Sequence, residues 1–179
     1  AAKRMRFASN SKSRVTDMPL IVIEGLDGSG KATSASLLKK RLTDEGKETL
    51  KISFPDYDSE SSSLVKMYLS GKFGDKPQDV NAYAASAFYA VDRYASYKSS
   101  WGKKLTRGTW VIADRYTTSN AVHQASKLPP EERKAYLDWL FDLEYRLLEL
   151  PKPDLVIYLD MPTEIAQRMM RRREKATGT

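Results

Sequence analysis

Residues 25–31 read Gly-Leu-Asp-Gly-Ser-Gly-Lys and lie between an apolar run and a segment with helical periodicity. The apolar run, residues 20–24, is typical of a buried strand, and leucines along one face predict a helix over residues 31–45. Glycines allow backbone N–H groups to turn inward around phosphate oxygens, and the start of a helix adds partial positive charge. A lysine at the end of such a turn reaches the β and γ phosphates of a nucleotide. The stretch therefore predicts a P-loop.

Strands and helices alternate along the rest of the chain. Apolar runs bounded by turn residues predict further strands at residues 48–54, 110–114 and 154–160. Helices are predicted near residues 60–70, 78–104, 117–126 and 129–149, with a last helix after Pro162. Strands that alternate with helices form parallel sheets, because each helical crossover returns the chain to the same edge. The predicted fold class is α/β: a three-layer P-loop NTPase fold, with a parallel sheet covered by helices on both faces.

Length and composition favour one globular domain and argue against several other classes. The chain has 179 residues and no cysteine, so disulfides and thiolate metal sites are excluded. No apolar run reaches the roughly 18 residues that a spanning helix needs, so no membrane partner is expected. The net charge of +7 arises before Met18 and within residues 171–175, which leaves the body close to neutral. A nucleic-acid partner is not expected, because such proteins normally spread positive charge along a face.

The N-terminal segment, residues 1–17, is rich in Ser, Lys and Arg and poor in acidic residues. This composition predicts a disordered or tag-like extension, and it is also typical of an organellar targeting segment. We expect one domain over residues 18–179 and a cytoplasmic location, with organellar targeting by the first 17 residues as the alternative.

A second motif separates the classes of P-loop protein. The guanine-reading pattern Asn-Lys-x-Asp occurs nowhere in the chain, which argues against a regulatory GTPase. Instead, Asp114-Arg115-Tyr116 ends a predicted strand, and ligands of such folds bind at the carboxyl edge of the sheet. An arginine at that edge can bridge the transferring and accepting phosphates. Arg115 and Lys31 are therefore candidate catalytic residues for phosphoryl transfer.

Five segments in order resemble the thymidylate kinase family of nucleoside monophosphate kinases. They are residues 24–31, 54–57, 92–93, 114–120 and 150–154, within a resemblance that extends over residues 19–174. The resemblance implies transfer of the γ-phosphoryl group of ATP to dTMP, giving dTDP, with Mg²⁺ as the cofactor. It also implies a homodimer formed through long helices, and small residues of helix 78–104 would permit close approach: Ala82, Ala84, Ala85, Ala87 and Ala90. Two alternatives stay open: a kinase for another nucleotide or a deoxynucleoside, and a nucleotide-binding module with little catalysis.

The resemblance also assigns an acceptor site. Tyr89 and Arg93 are four residues apart and share one helical face, and in the family this pair stacks on thymine and hydrogen-bonds its carbonyl edge. Asn120 would face the base, and His123 falls where the family checks the deoxyribose. The residues implied for dTMP are Asp27, Phe54, Tyr57, Tyr89, Arg93, Arg115, Ser119, Asn120 and His123.

The P-loop departs from the usual pattern at one position. The residues expected to contact the ATP phosphates are Gly25, Gly28, Ser29, Gly30, Lys31, Ala32 and Thr33. The residue after the lysine is normally Ser or Thr, whose hydroxyl binds magnesium, but here it is Ala32. Thr33 follows, but one residue along a helix rotates it by roughly 100°. Asp27 and Asp114 are therefore the candidate carboxylates for magnesium.

Three arginines at residues 171–173 resemble the start of the family's mobile lid. The family supplies a catalytic arginine either from the P-loop or from the lid, and Gly28 and Ser29 leave this P-loop without one. Asp27 would orient the acceptor sugar or a metal-bound water. The expected catalytic residues are Lys31, Arg115, Asp27, Arg171, Arg172 and Arg173. The domain at residues 18–179 would then end within the lid, whereas the family continues through a strand and a helix that hold the adenine.

Overall fold

The computed structural model describes residues 19–177, so the extension expected at residues 1–17 lies outside the described residues. The strands are β1 (Leu20–Gly25), β2 (Thr49–Ser53), β3 (Trp110–Asp114) and β4 (Leu155–Leu159). The helices are α1 (Lys31–Asp44), α2 (Ser63–Leu69), α3 (Ala82–Ser96), α4 (Gly102–Leu105), α5 (Thr117–Ala125), α6 (Arg133–Asp142) and α7 (Thr163–Thr177). A 3₁₀ turn (Glu60–Ser62) precedes α2, and π-helical turns follow α3 (Tyr97–Trp101) and α6 (Leu143–Leu147).

The four strands form one parallel sheet in the order β2-β3-β1-β4, which confirms the predicted α/β fold class. Leu20 of β1 pairs with Val111 of β3, and this register places Ile23 beside Asp114. Both strands therefore end at the same edge of the sheet. The glycine-rich turn after β1 and the Asp-Arg-Tyr segment after β3 become neighbours there, although about 90 residues separate them in sequence.

Alternate residues of β1 pack into the two helical layers. Leu20 and Val22 belong to a buried cluster that includes Trp101 of the π-helical turn, whereas Ile23 packs with Ala35 of α1 on the other face. Both faces of the sheet are therefore covered, as a parallel sheet requires. In the part of the chain that the structure describes, no helix has the length and apolar character needed to cross a membrane.

Two predicted helices differ from the observed ones in their bounds. The helix expected from residue 78 begins at Ala82, because the side chain of Asn81 accepts a hydrogen bond from the N–H of Ala84 at 2.8 Å and caps the first turn. The helix expected over residues 129–149 begins at Arg133. Each of the two predicted ranges also includes a π-helical turn, which hydrophobic periodicity does not reveal.

Candidate functional site

The P-loop wraps tightly at the end of β1. Gly28 and Gly30 have φ values of +79° and +87°, a left-handed region that glycine adopts without strain. Lys31 is the first residue of α1, and its Nζ donates a hydrogen bond to the carbonyl oxygen of Leu26 at 2.7 Å. The loop therefore places an ammonium group beside the start of a helix, as phosphate binding requires.

Asp27 links the P-loop to the segment after β3. Its Oδ1 lies 3.7 Å from Lys31 Nζ and 2.5 Å from Arg115 Nη2. Burial acts to raise the pKa of Asp27, but the charge and hydrogen bond of Arg115, together with Lys31, outweigh it and hold the pKa below its usual value. Burial and the nearby Arg115 lower the pKa of Lys31, against the opposing effect of Asp27. Two cations and one carboxylate thus share a small region of the site.

Arg115 is held in an unusual backbone conformation. Its φ of +69° lies in the left-handed region, which is costly for a residue with a side chain. Its Nη1 donates to Ser119 Oγ at 2.9 Å and lies 3.5 Å from His123 Nε2. Burial and the Arg115 charge lower the pKa of His123, which favours the neutral imidazole. The guanidinium is therefore directed by several contacts toward the P-loop.

Glu24 keeps this segment in place, and sequence analysis did not assign it a role. Its carboxylate accepts hydrogen bonds from the N–H groups of Tyr116 and Ser119, both at 3.0 Å. It also accepts from the hydroxyls of Thr118 at 2.7 Å and Ser119 at 2.5 Å. The start of α5 is thereby fastened to the end of β1. A glutamate at the end of an apolar strand was the available signal, since a buried carboxylate needs several donors.

One open cavity of about 840 Å³ runs from the P-loop to α2 and α3. It is lined by most of the residues that sequence analysis assigned to the donor, acceptor and metal sites: Asp27, Gly28, Gly30, Lys31, Ala32, Thr33, Phe54, Tyr57, Tyr89, Arg93, Asp114, Arg115, Ser119, Asn120 and His123. Gly25 and Ser29 are not among the lining residues, and the buried Ser29 hydroxyl has no hydrogen-bond partner in the described part of the chain. The structure therefore joins the predicted donor and acceptor residues in one cavity.

The end of the cavity formed by α2 and α3 is aromatic. Tyr89 meets Tyr68 edge to face, with ring centroids 6.3 Å apart, and burial raises the pKa of Tyr89 to about 12. Tyr68 OH accepts a hydrogen bond from Lys127 Nζ at 2.8 Å. Tyr68 and Lys127 were not predicted, because α2 and the turn after α5 carry no motif that marks them as lining residues.

Two buried amides also line this end of the cavity. Asn120 donates from Nδ2 to the carbonyl oxygen of Ser86 at 3.3 Å. Within residues 19–177, Asn120 Oδ1 and Gln124 Oε1 are buried without a hydrogen-bond partner. Gln124 was not predicted, although it follows Asn120 by four residues on the same helix and so shares its face. Buried polar atoms of this kind are costly unless a ligand satisfies them.

Arg93 lies deeper than its assigned role suggested. It is only 2% exposed, and it forms a two-point ion pair with Glu144, with distances of 2.7 Å from Nε to Oε2 and 2.5 Å from Nη2 to Oε1. Arg93 still lines the cavity, as does Tyr89 one turn before it. Sequence analysis missed Glu144, because 51 residues separate it from Arg93.

The lid arginines lie on α7, which packs directly on the P-loop. A Cβ atom at Gly28 would lie 2.3 Å from the carbonyl oxygen of Ala166. Arg171 and Arg172 are exposed and do not line the cavity, and the side chain of Arg173 lies outside what the structure describes. The structure therefore does not bring Arg171 or Arg172 to the phosphate site.

The two candidate metal carboxylates both line the cavity beside Lys31. Asp27 is exposed, whereas burial raises the pKa of Asp114 against the opposing charges of Lys31 and Arg115. Among the described residues, no group of three or more His, Cys, Asp or Glu side chains could hold a metal ion. Two carboxylates nevertheless fit Mg²⁺, which takes one or two from the protein and completes its shell with phosphate oxygens and water.

A phosphate-binding loop that faces an arginine at the carboxyl edge of a parallel sheet defines a P-loop phosphotransferase. A family model described as thymidylate kinase matches residues 23–178 of this chain. The chain belongs to the thymidylate kinase family.

Individual relatives agree with this assignment. A thymidylate kinase from Mycobacterium tuberculosis is 34% identical over 156 residues, which cover 86% of this chain and 71% of that protein. A thymidylate kinase from Caenorhabditis elegans is 32% identical and covers 82% of this chain, which spans 65% of the relative. A solved structure of thymidylate kinase from Candida albicans has a TM-score of 0.64 and 27% identity, with 84% of this chain and 66% of that chain covered.

Proposed function

We propose that this chain transfers the γ-phosphoryl group of ATP to dTMP, giving ADP and dTDP. The observation that carries the proposal is the position of Asp27, which contacts Lys31 of the P-loop and Arg115 of the opposite wall within one cavity. Donor and acceptor phosphates bound on either side of this carboxylate would meet between two cations. The thymidylate kinase names of its relatives support dTMP as the acceptor.

Lys31 and the amides of the P-loop would bind the β and γ phosphates of ATP. Arg115 would bridge the γ phosphate and the acceptor phosphate, where negative charge spreads in the transition state. The acceptor phosphate is already an anion at neutral pH, so no side chain is needed as a general base. Catalysis would therefore rest on positioning and electrostatics, supplied by groups that the fold fixes before substrate binds.

The aromatic end of the cavity fits a pyrimidine base. Tyr89 offers a ring face for stacking, and the Oδ1 of Asn120 could accept the N3–H of thymine. Gln124 provides a second amide nearby, and Arg93 could donate to a carbonyl oxygen of the base. Thymine carries one N–H donor between two carbonyl acceptors, whereas cytosine lacks that donor. The pairing of acceptor and donor groups in the cavity therefore supports dTMP over dCMP.

The stacking role of Tyr89 has a direct test. Tyr89→Ala should raise the KM for dTMP by about 10- to 100-fold, because base stacking on an aromatic side chain contributes about 1–3 kcal/mol. The KM for ATP should stay unchanged. Tyr89→Phe is the matched control, since it keeps the ring and should remain within about threefold of the wild type. Steady-state kinetics with each substrate varied in turn would contradict the role if the alanine variant bound dTMP as well as the phenylalanine variant.

Magnesium is part of the proposal, with Asp27 and Asp114 as its protein ligands. When bound, Mg²⁺ would neutralise charge on the phosphate oxygens of ATP. Ala32 offers no hydroxyl, and both Ala32 and Thr33 line the cavity despite their different directions on α1. The protein's own contribution would therefore be limited to carboxylates.

Restoring the usual hydroxyl tests this metal site. Ala32→Ser should lower the Mg²⁺ concentration for half-maximal activity by about fivefold, because one added oxygen ligand is worth about 1 kcal/mol. Ala32 is exposed at the cavity wall, so the extra atom has room. Ala32→Val adds bulk without an oxygen and should show no such shift. A magnesium titration in which the serine and valine variants coincide would argue against a metal at this position.

The catalytic arginine of α7 is a further part of the proposal. Ala166 and Met170 pack on Gly28, and Met169 lines the cavity. Position 173 lies seven residues after Ala166, four after Met169 and three after Met170, so it falls on the same helical face. Arg171 falls on the opposite side of the helix. Arg173 is therefore the arginine of the predicted set that we propose to act at the phosphates.

A homodimer through α3 also remains a proposal, with fewer residues than the sequence suggested. Ala82, Ala85 and Ala90 are almost fully buried within the protomer, so they are not available to a partner. Ala84 and Ala87 are partly exposed, and Val91, which was not predicted, is 46% exposed. Sedimentation at increasing protein concentration tests whether the homodimer forms.

The expected cytoplasmic location is a separate part of the proposal. Localisation of the tagged full-length protein tests it.

The acceptor is tested by a coupled assay of ADP release with ATP and five nucleotides: dTMP, dUMP, dCMP, dGMP and AMP. We expect the highest kcat/KM with dTMP. A higher value with another monophosphate would favour a kinase for that nucleotide. Tight ATP binding by calorimetry without turnover at saturating Mg²⁺ and dTMP would favour a nucleotide-binding module.

A further inference from the structure

We propose that Glu144 is a positioning residue for acceptor selectivity, which holds Arg93 in the orientation that reads the carbonyl edge of the base. This inference rests on the proposed function of the cavity as an acceptor site. Glu144 is not among the residues that line the cavity, so it would act on the substrate indirectly, through the contact with Arg93.

The contacts of Glu144 fix the Arg93 guanidinium at two points. Oε2 accepts from Arg93 Nε at 2.7 Å, and Oε1 accepts from Nη2 at 2.5 Å. Thr117 Oγ1 donates to the same Oε2 at 2.7 Å. The side chains of Arg93 and Glu144 are 2% and 0% exposed, so solvent does not screen the pair. The plane of the guanidinium is therefore set by the carboxylate.

This geometry leaves Nη1 of Arg93 unused by Glu144. The ion pair occupies Nε and one N–H of Nη2, and Arg93 is among the residues that line the cavity. Arg93 Cζ lies over the Tyr116 ring, 5.9 Å from its centre, which limits rotation further. Arg93 can thus present the Nη1 donors to a ligand in only a narrow range of directions.

Glu144 connects two segments of the proposed acceptor site: Arg93 of α3 and the start of α5. Glu144 lies in the π-helical turn after α6, a local feature that is frequent at functional sites. Its backbone oxygen accepts the N–H of Leu150 at 2.9 Å, which anchors the turn. Thr117 is the first residue of α5 and follows the Asp-Arg-Tyr segment. One carboxylate therefore contacts the base-reading arginine and the helix that follows Arg115.

A purely structural role is the competing explanation. Burial by itself would lower the pKa of Arg93, but the charge and hydrogen bonds of Glu144 outweigh it, and the pKa is raised. A buried ion pair is nevertheless weak evidence for stability, because desolvation of both groups offsets the attraction, and apolar replacements are often as stable. This pair borders a ligand cavity and leaves Nη1 of Arg93 unused by the carboxylate, which recognition explains better than stability does.

The test compares dTMP with 5-methyl-dCMP, which differs from it only at the N3 and C4 positions of the base. In Glu144→Gln the kcat/KM ratio of dTMP to 5-methyl-dCMP should fall by about 10-fold or more, because the arginine loses its fixed direction. The KM for dTMP should rise by a similar factor, whereas the KM for ATP should stay within about threefold. Glu45→Gln makes the same change in an exposed ion pair with Arg41 and should leave every constant unchanged.

A second variant covers the case in which Glu144→Gln does not fold. Thr117→Val removes one hydrogen bond to the carboxylate but keeps both charges and the same shape, so the ratio should fall by about two- to fivefold. Calorimetric Kd values for both nucleotides test the role of Glu144 without turnover. An inactive wild type would therefore contradict the proposed function but would leave the role of Glu144 open to this test. An unchanged ratio in every variant that folds, even with a lower Tm, would show that Glu144 is only structural and would overturn the inference.

Discussion

We expect Arg115→Ala to lower kcat/KM for dTMP by about 1000-fold, because phosphoryl transfer depends on cations placed where charge spreads in the transition state. Arg115 forms the ion pair with Asp27 at 2.5 Å and contacts Ser119 at 2.9 Å, so its guanidinium is already held beside the P-loop, where we propose that donor and acceptor meet. The backbone strain at φ +69° supports the same conclusion, because such strain persists where position matters. Steady-state kinetics with both substrates varied is the measurement.

Two variants separate charge from geometry in this experiment. Arg115→Lys keeps the cation but not the planar fork, and we expect an intermediate loss of about 30- to 100-fold. Arg41→Ala removes an exposed arginine of α1 that pairs with Glu45, and it should have no effect. Loss of Arg115 should also raise the pKa of Asp27 toward its usual value, which NMR titration can follow. A loss of less than 10-fold in Arg115→Ala would show that another group carries the transition-state charge.

The arrangement of the donor site could be predicted because its parts are local. The glycine-rich turn, Lys31 and the helix after it are consecutive in sequence, and each has a conformational signal of its own. The place of Arg115 followed from one topological rule, since carboxyl ends of neighbouring parallel strands meet at one edge. The register between β1 and β3 then brings Arg115 to Asp27, although 88 residues separate them in sequence.

The residues that sequence analysis missed depend on contacts that no local pattern encodes. Glu144 contacts Arg93 although 51 residues separate them in sequence. Glu144 lies in a π-helical turn, and hydrophobic spacing does not reveal such a turn. Tyr68 lines the cavity from α2 and Lys127 from the turn after α5, and the two residues meet only in the folded chain. Three alanines of α3, Ala82, Ala85 and Ala90, show a different limit, because small residues chosen for a partner helix can be needed for packing within the protomer.

We expect Gly28→Ala to lower kcat/KM for ATP by about 100-fold or more. Its φ of +79° disfavours any side chain, and a Cβ there would lie 2.3 Å from the carbonyl oxygen of Ala166 and 2.9 Å from Met170 Cγ. Because the first contact is with backbone, the loop or the whole of α7 must move. A displacement of about 1 Å at a catalytic site can cost about 100-fold in rate. Steady-state kinetics with ATP varied is the measurement.

Gly46→Ala is the matched control for this change. Gly46 has nearly the same φ, +80°, but in the described part of the chain a Cβ there would meet nothing within 4 Å. It should therefore cost only the backbone strain, about 1 kcal/mol in the free energy of unfolding, and leave the kinetics unchanged. Comparison of the two variants by thermal melting and ATP kinetics isolates the contact between the P-loop and α7. Equal kinetics in both variants would mean that α7 does not constrain the loop, and the proposed role of Arg173 would then lose its main support.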